Sequence, residues 1–353
     1  MKIIDISYGR DKIIRGEVRG ETDIYYPSID MESGRMWCSC PYFFHKQVIC
    51  KHIKYLLSNV NYEGIKNMNE KLLYLPSDCE LLDKELGGGF PIGIVTSIVG
   101  EPEVGKTLLM LQTACSAVSL TGKDVIFIET EGYREADLYL IIEKIFKKRF
   151  KLTDKDMKKF HFYSATTIER LMKLFGWNVN IEYGENKMDI SFHKMGKKET
   201  DINGMNIPHK VLSDSILLVM DSFTSPIKAL VADDRKNFPQ RAKIISKMFK
   251  ILFDISNDYN LAILVSHHLS KDPTQMLSLG EEYGGNSVKY NLKWKIALMR
   301  GSKVEERKFG EENRYGTRRF RIIRKPGMPK EDSYKKFGIL LKKDWGFVSE
   351  VED

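Results

Sequence analysis

Along residues 1–36 apolar and polar positions alternate over short runs, as in Lys12-Ile13-Ile14-Arg15-Gly16-Glu17-Val18, with glycine and proline between them. That pattern predicts small strands and turns. Ile53, Leu56, Leu57 and Val60 then fall on one face at helical spacing. Residues 61–75 are polar, with Asn61, Gly64, Asn67 and Asn69, and read as a linker. From residue 76 the rhythm becomes strand–helix alternation. Strands are predicted at 94–99, 125–128, 217–220 and 262–265, and helices at 107–120 and 240–256. A basic amphipathic helix is predicted over 138–150. The tail from Trp294 mixes strand-like runs with Arg and Lys. This alternation argues for an α/β core with a largely parallel sheet over residues 76–353, preceded by a small module over residues 1–60. Residues 176–213 break the rhythm. Val179, Ile181 and Tyr183 alternate, as do Ile190 and Phe192, which predicts an inserted β-hairpin.

Composition narrows the picture. With 353 residues, 42% hydrophobic and 29% charged, the chain suits a soluble protein of one large and one small domain. A net charge of +8 is compatible with a polyanionic partner. Residues 1–12 carry Asp5, Arg10 and Asp11 and do not resemble a signal peptide. No apolar run reaches the ~20 residues of a membrane helix, so a cytoplasmic protein without membrane attachment is expected. Three of the five cysteines lie within thirteen positions, and Cys79 and Cys115 stand apart. That favours a metal site in a reducing compartment over a disulfide framework.

Two constellations carry chemistry. Gly100, Glu101, Pro102, Glu103, Val104, Gly105, Lys106 and Thr107, followed by Leu108, form a Walker A loop between a predicted strand and a predicted helix. The turn's N–H groups and the helix N-terminus suit phosphates. Lys106 would reach the β- and γ-phosphates, and the Thr107 hydroxyl would hold Mg²⁺. Asp221 ends an apolar strand, where a Walker B carboxylate orients Mg²⁺. Glu131, two residues past the strand 125–128, is placed to polarise an attacking water, with Glu129 as its rival. The second constellation is Cys38-Ser39-Cys40 with Cys50-Lys51-His52. Four such ligands suit one tetrahedral Zn²⁺, with His45 as a substitute ligand.

The larger domain resembles the RecA/RadA family of ATPases, in the manner of an archaeal RadA paralog. The likeness covers roughly residues 76–350. It rests on the Walker A loop, on Ile128-Glu129-Thr130-Glu131, on residues 217–225 around Asp221, on Val265-Ser266-His267-His268 and on Gly284-Gly285-Asn286. It implies a RecA-like core using ATP and Mg²⁺, Arg134 against adenine, and His268 where the family carries a γ-phosphate sensor that is usually Gln. By the same likeness Arg235, Lys236 and Arg241 lie in a first DNA loop and Lys271 in a second. Arg324-Lys325-Pro326-Gly327-Met328-Pro329 resembles the ATP cap.

Residues 1–60 resemble a SWIM zinc finger, with nine residues between its two ligand pairs. That implies a ββα module that binds DNA or protein. SWIM proteins accompany RadA-like paralogs in recombination mediators. The combined resemblance implies an ATP-dependent mediator of homologous recombination and DNA repair. Its implied partners are single-stranded DNA, a RadA-type recombinase or other paralogs, and further copies of the chain. An adaptor with a switch-like ATP site and a KaiC-like signalling ATPase are the alternatives.

Overall fold

The computed structural model describes residues 1–8, 13–20, 23–30, 36–40, 51–59, 74–184, 188–196, 206–231, 238–268, 292–301, 316–342 and 345–349. They fall into two compact units, residues 1–74 with 83–89 and residues 75–82 with 90–353.

In the first unit, β1 (Lys2–Tyr8), β2 (Ile13–Arg19), β3 (Ile24–Tyr25), β4 (Pro27–Asp30) and β5 (Met36–Cys38) make one antiparallel sheet. The order is β1-β2-β4-β5, with β3 also on β2. Helix α1 (Lys51–Asn59) follows. The period-two pattern turns Ile14 and Val18 inward, and Ile29, Met36, Ile53 and Leu56 complete a small core. Gly16 lies where a Cβ would come within 2.7 Å of the Leu56 side chain, so a larger residue there would require Leu56 to move. Among the described residues the unit has five strands and a helix, where the SWIM resemblance implies ββα.

The second unit is built on nine strands. They are β6 (Val95–Gly100), β7 (Asp124–Glu129), β8 (Phe160–Ser164), β11 (Ser215–Asp221), β12 (Ala262–His268), β13 (Trp294–Arg300), β14 (Thr317–Arg324), β15 (Phe337–Lys342) and β16 (Gly346–Ser349). The order is β8-β7-β11-β12-β6-β13-β14-β15-β16. The first six are mutually parallel and the last three run antiparallel. The central strands are continuous apolar runs because helices cover them. Those helices include α2 (Lys106–Thr121) and α7 (Phe238–Asp258). Between them in the chain lie α3 (Glu135–Ile141), α4 (Ile168–Leu174), α5 (His209–Asp214) and α6 (Ser225–Leu230).

Three elements depart from the sequence pattern. The helix expected at 138–150 begins at Glu135, and its second half, Ile142–Phe146, is a π-turn. Ile142, Phe146 and Phe150 are spaced by four, and all three are buried. The wider turn keeps such a spacing on one face. Strand β8 and helix α4 had no clear signal, since most of β8 is only half-buried. The insertion does contain a hairpin, β9 (Trp177–Tyr183) and β10 (Met188–Lys194), paired antiparallel apart from the main sheet. Val179, Ile181 and Phe192 pack on the core that α7 covers. No helix among the described residues is long and apolar enough to cross a membrane.

The last strand is pinned to α2 by Gln112. Its amide nitrogen donates to Ser77 O at 2.9 Å and to Phe347 O at 3.0 Å, and its oxygen accepts the Phe347 N–H at 2.7 Å. Arg149 adds bonds to Asp78 and to the carbonyls of Trp345 and Phe347. Gln112 is fully buried. Gln112→Ala strips three backbone groups of a partner and is expected to cost about 2–4 kcal/mol, read as a lower midpoint in chemical denaturation.

Candidate nucleotide and metal sites

Strand β6 is buried throughout and ends at Gly100. A Cβ on Gly100 would lie 2.5 Å from Leu298 O on β13, so the neighbouring strand demands glycine. The turn then carries Glu103 and Gly105 at positive φ, 62° and 103°. At Gly105 a Cβ would also meet the Phe347 ring at 2.8 Å. The close approach lets the backbone curl straight into α2, whose free N–H groups face the turn.

Lys106 is buried at 6% exposure, and its Nζ donates to Gly100 O at 3.0 Å and Glu101 O at 2.9 Å. Burial pulls its pKa down, while Asp221 and Glu131 push it back up. The Thr107 hydroxyl donates to Asp221 Oδ2 at 2.5 Å. Ser266, from β12, donates to the other carboxylate oxygen. Burial nonetheless raises the Asp221 pKa. The peptide after Asp221 is cis, and Ser222 exchanges two 2.7 Å hydrogen bonds with Thr130. Glu131 is exposed and accepts from Ser225 Oγ at 3.3 Å. The structure thus gathers Gly100, Gly105, Lys106, Thr107, Asp221 and Glu131 at the C-terminal ends of β6, β7 and β11, the usual place for a ligand in an open α/β sheet.

The other expected residues are less concentrated. Glu101, Pro102, Glu103 and Val104 form the outer turn, where Glu103 meets Arg300 at 3.3 Å. Leu108 is half-buried in the first turn of α2. Arg134 is 81% exposed and grips Asp137 at 2.8 Å, closing the start of α3. His268 ends β12 opposite Gly100 in the strand register. Arg241 lies in α7 with its guanidinium 4.3 Å from the ring centre of Phe238, which is 42% exposed. Arg235, Lys236, Lys271 and residues 284–286 lie outside the described residues. Ser266, Ser225 and Arg318 were not singled out by spacing. Arg318, in the tail that mixes strand-like runs with Arg and Lys, is buried and donates from Nε to Val104 O at 3.1 Å. A hollow of about 810 Å³ lies by the insertion between Trp177, His209, Lys247 and Tyr259, and shares no residue with this site.

In the first unit Cys38, Cys40 and His52 bring their ligand atoms within 4.8 Å of one another. Cys38 Sγ and His52 Nδ1 are 3.9 Å apart, and all three residues are buried. Those separations suit the edges of a tetrahedron with legs of about 2.0–2.3 Å around zinc. Tyr25 stacks on the His52 ring at 4.3 Å. Cys50 lies outside the described residues.

A phosphate loop, a buried carboxylate bonded to the loop's threonine, and a mixed, mostly parallel sheet define a RecA-like P-loop ATPase. The chain belongs to the KaiC ATPase family, which matches residues 75–280. It is similar to the DNA repair and recombination protein RadB of Methanococcoides burtonii, 50% identical over 68 residues, 19% of this chain and 28% of the relative. It is also similar to the protein of that name from Archaeoglobus fulgidus, 24% identical over 66% of this chain and 87% of the relative. DNA repair protein RAD51 homolog 3 of Cricetulus griseus is 22% identical over 58% of this chain and 56% of its own length. For the Methanococcoides, Thermoplasma and Halobacterium RadB proteins, the match spans only 28 to 36% of the relative. A crystal structure of the RadB recombinase shares the fold, with TM-score 0.52 and 19% identity, over 78% of this chain and all of that one.

The raised pKa of Asp221 has a thermodynamic sign. The folded state holds this proton more tightly than the unfolded one, so ionisation destabilises the fold. The penalty is full above the raised pKa and fades as pH falls toward the ordinary carboxylate value. In magnesium-free, nucleotide-free buffer, Asp221→Asn is expected to raise Tm at neutral pH, by a margin that shrinks as pH is lowered. Paired melts across the acidic range check this.

Proposed function

We propose that this chain is an ATP-hydrolysing recombination and repair factor, a RadA paralog that binds single-stranded DNA and acts beside a recombinase as a mediator. The observation that carries the ATPase half is the Lys106–Thr107–Asp221–Ser266 cluster beneath the phosphate loop. Similarity to proteins named for DNA repair and recombination supports the setting. It favours that setting over a signalling role of KaiC type.

In this reading the loop N–H groups and Lys106 bind the phosphates, and Lys106 exchanges its loop carbonyls for phosphate oxygens. Thr107 and Asp221, already oxygen to oxygen, are the residues that would hold Mg²⁺. Magnesium there supplies positive charge to the β- and γ-phosphate oxygens. Glu131 accepts a proton from the attacking water, with Ser225 fixing one carboxylate oxygen. The Phe238–Arg241 pair offers an exposed ring and a cation beside the proposed first DNA loop, which suits stacking and phosphate contact. Arg235, Lys236 and Lys271 extend that basic surface.

Residues 1–60 act as a zinc-stapled docking module of SWIM type, with Cys38, Cys40, Cys50 and His52 as ligands. The three described ligands already converge, and the core around them is small. Zinc supplies the missing cross-link, worth about 10–16 kcal/mol in comparable peptides.

ATP turnover by the full chain, with and without single-stranded DNA, tests the function. Wild type is expected to turn over faster with DNA, and Lys106→Ala to lose nucleotide binding. Tight ATP binding with no turnover in either condition would instead establish the adaptor. DNA affinity should fall with salt at a log–log slope of roughly −0.7 per phosphate neutralised. Replacing Arg235, Lys236 and Arg241 together should flatten that slope, and an unchanged slope would remove this surface from the DNA site.

Metal analysis is expected to find one zinc per chain. Cys50→Ala should lose that zinc and expose the first unit to protease, while nucleotide affinity persists.

A further inference from the structure

Three backbone N–H groups beside the phosphate loop have no strand or helix to bond to. Strand β7 ends at Glu129, whose carbonyl accepts the Ala165 N–H at 2.8 Å from the β8 side. The next residue is fixed on the other side, with Thr130 N donating to Asp221 O at 2.8 Å and its hydroxyl bonded to Ser222. Beyond Thr130 the chain turns sharply through Gly132, at φ 97°. The Glu131 N–H donates to the carboxylate of Glu129, and the N–H groups of Gly132 and Tyr133 lie on the same side and favour its charge. A side-chain anion thus occupies the concavity that successive backbone N–H groups create.

We propose that Glu129 is a positioning residue for hydrolysis: its carboxylate holds the 131–133 turn and so sets the direction in which the Glu131 side chain points. This rests on the reading of Glu131 as the group that polarises water.

The geometry separates this role from plain stabilisation. Glu129 is 3% exposed, and its Oε2 is buried with no hydrogen-bond partner among the described residues. Its partner in the strand register is Asp221, a second buried acid. Glutamine would keep an acceptor for the turn and drop the buried charge, so stability alone does not ask for a glutamate here. What the full carboxylate adds is a charge-assisted bond to the Glu131 N–H, and hence a fixed Glu131. Glu129 itself sits under the turn, whereas Glu131 is exposed toward Ser225.

The test compares Glu129→Gln, Glu131→Gln and the double variant in the full chain, with magnesium and ATP. Turnover, affinity for a fluorescent ATP analogue and Tm are read together. Glu129→Gln is expected to lower kcat on the order of 100-fold through misplacement of Glu131, with analogue affinity unchanged and Tm not reduced. The double variant should be no slower than Glu131→Gln, because both changes act through one group. Glu129→Asp keeps the charge but draws it back from the turn, and should show the same loss in kcat if Glu129→Gln does not fold. Losses that multiply in the double variant would overturn the proposal, as would wild-type turnover in Glu129→Gln beside a slow Glu131→Gln. Wild-type turnover in Glu131→Gln would instead remove Glu131 from the reaction, and the positioning role with it.

Discussion

The nucleotide site depends on one buried carboxylate. Asp221 ends β11, accepts Thr107 from the start of α2 and accepts Ser266 from β12. Three elements distant in sequence are thereby brought to one point. Hydroxyl donors suit this task, because they bond a charged oxygen without adding a countercharge that would compete with a cation. The cost is a carboxylate held out of water with its proton affinity raised. A protein selected for stability alone has little use for such a group, and a magnesium-binding protein does.

Around that point the phosphate loop is wedged between neighbours. Leu298 O presses on Gly100 and the Phe347 ring on Gly105, and Arg318 holds Val104 from behind. The parallel strands supply the platform, but the antiparallel strands β14 to β16 supply the back wall. The loop's shape is therefore set in part by Leu298, Arg318 and Phe347, from 198 to 242 positions downstream of the loop residues they touch.

This explains what could be read from the chain and what could not. The strands around 217–220 and 262–265 are unbroken apolar runs, the strand at 94–99 is interrupted only by Thr96 and Ser97, and the Walker A residues are contiguous, so local pattern reveals them. Asp221 is legible because it ends such a run. The role of Ser266 is not, since a serine inside an apolar strand carries no mark of what it faces. Arg318 misleads for a related reason. It alternates with Phe320 and Ile322 on the buried face of β14, where a charged residue carries no local mark of burial. The π-turn at Ile142–Phe146 escapes helical periodicity because it widens the turn. The Cys38/Cys40 and Cys50/His52 pairs stand out by spacing alone, and Cys38, Cys40 and His52 converge in space.

The bond between Gln112 and Phe347 joins residues 235 positions apart. During synthesis α2 therefore emerges long before the strand that backs it. Until residue 347 has left the ribosome, the buried amide of Gln112 has no Phe347 backbone to bond, and Gly105 has no ring against it. The central parallel strands can pair first, since all but the last residues that form them are already present. A chain that stops short of residue 347 thus presents the loop's sequence without the ring that backs Gly105.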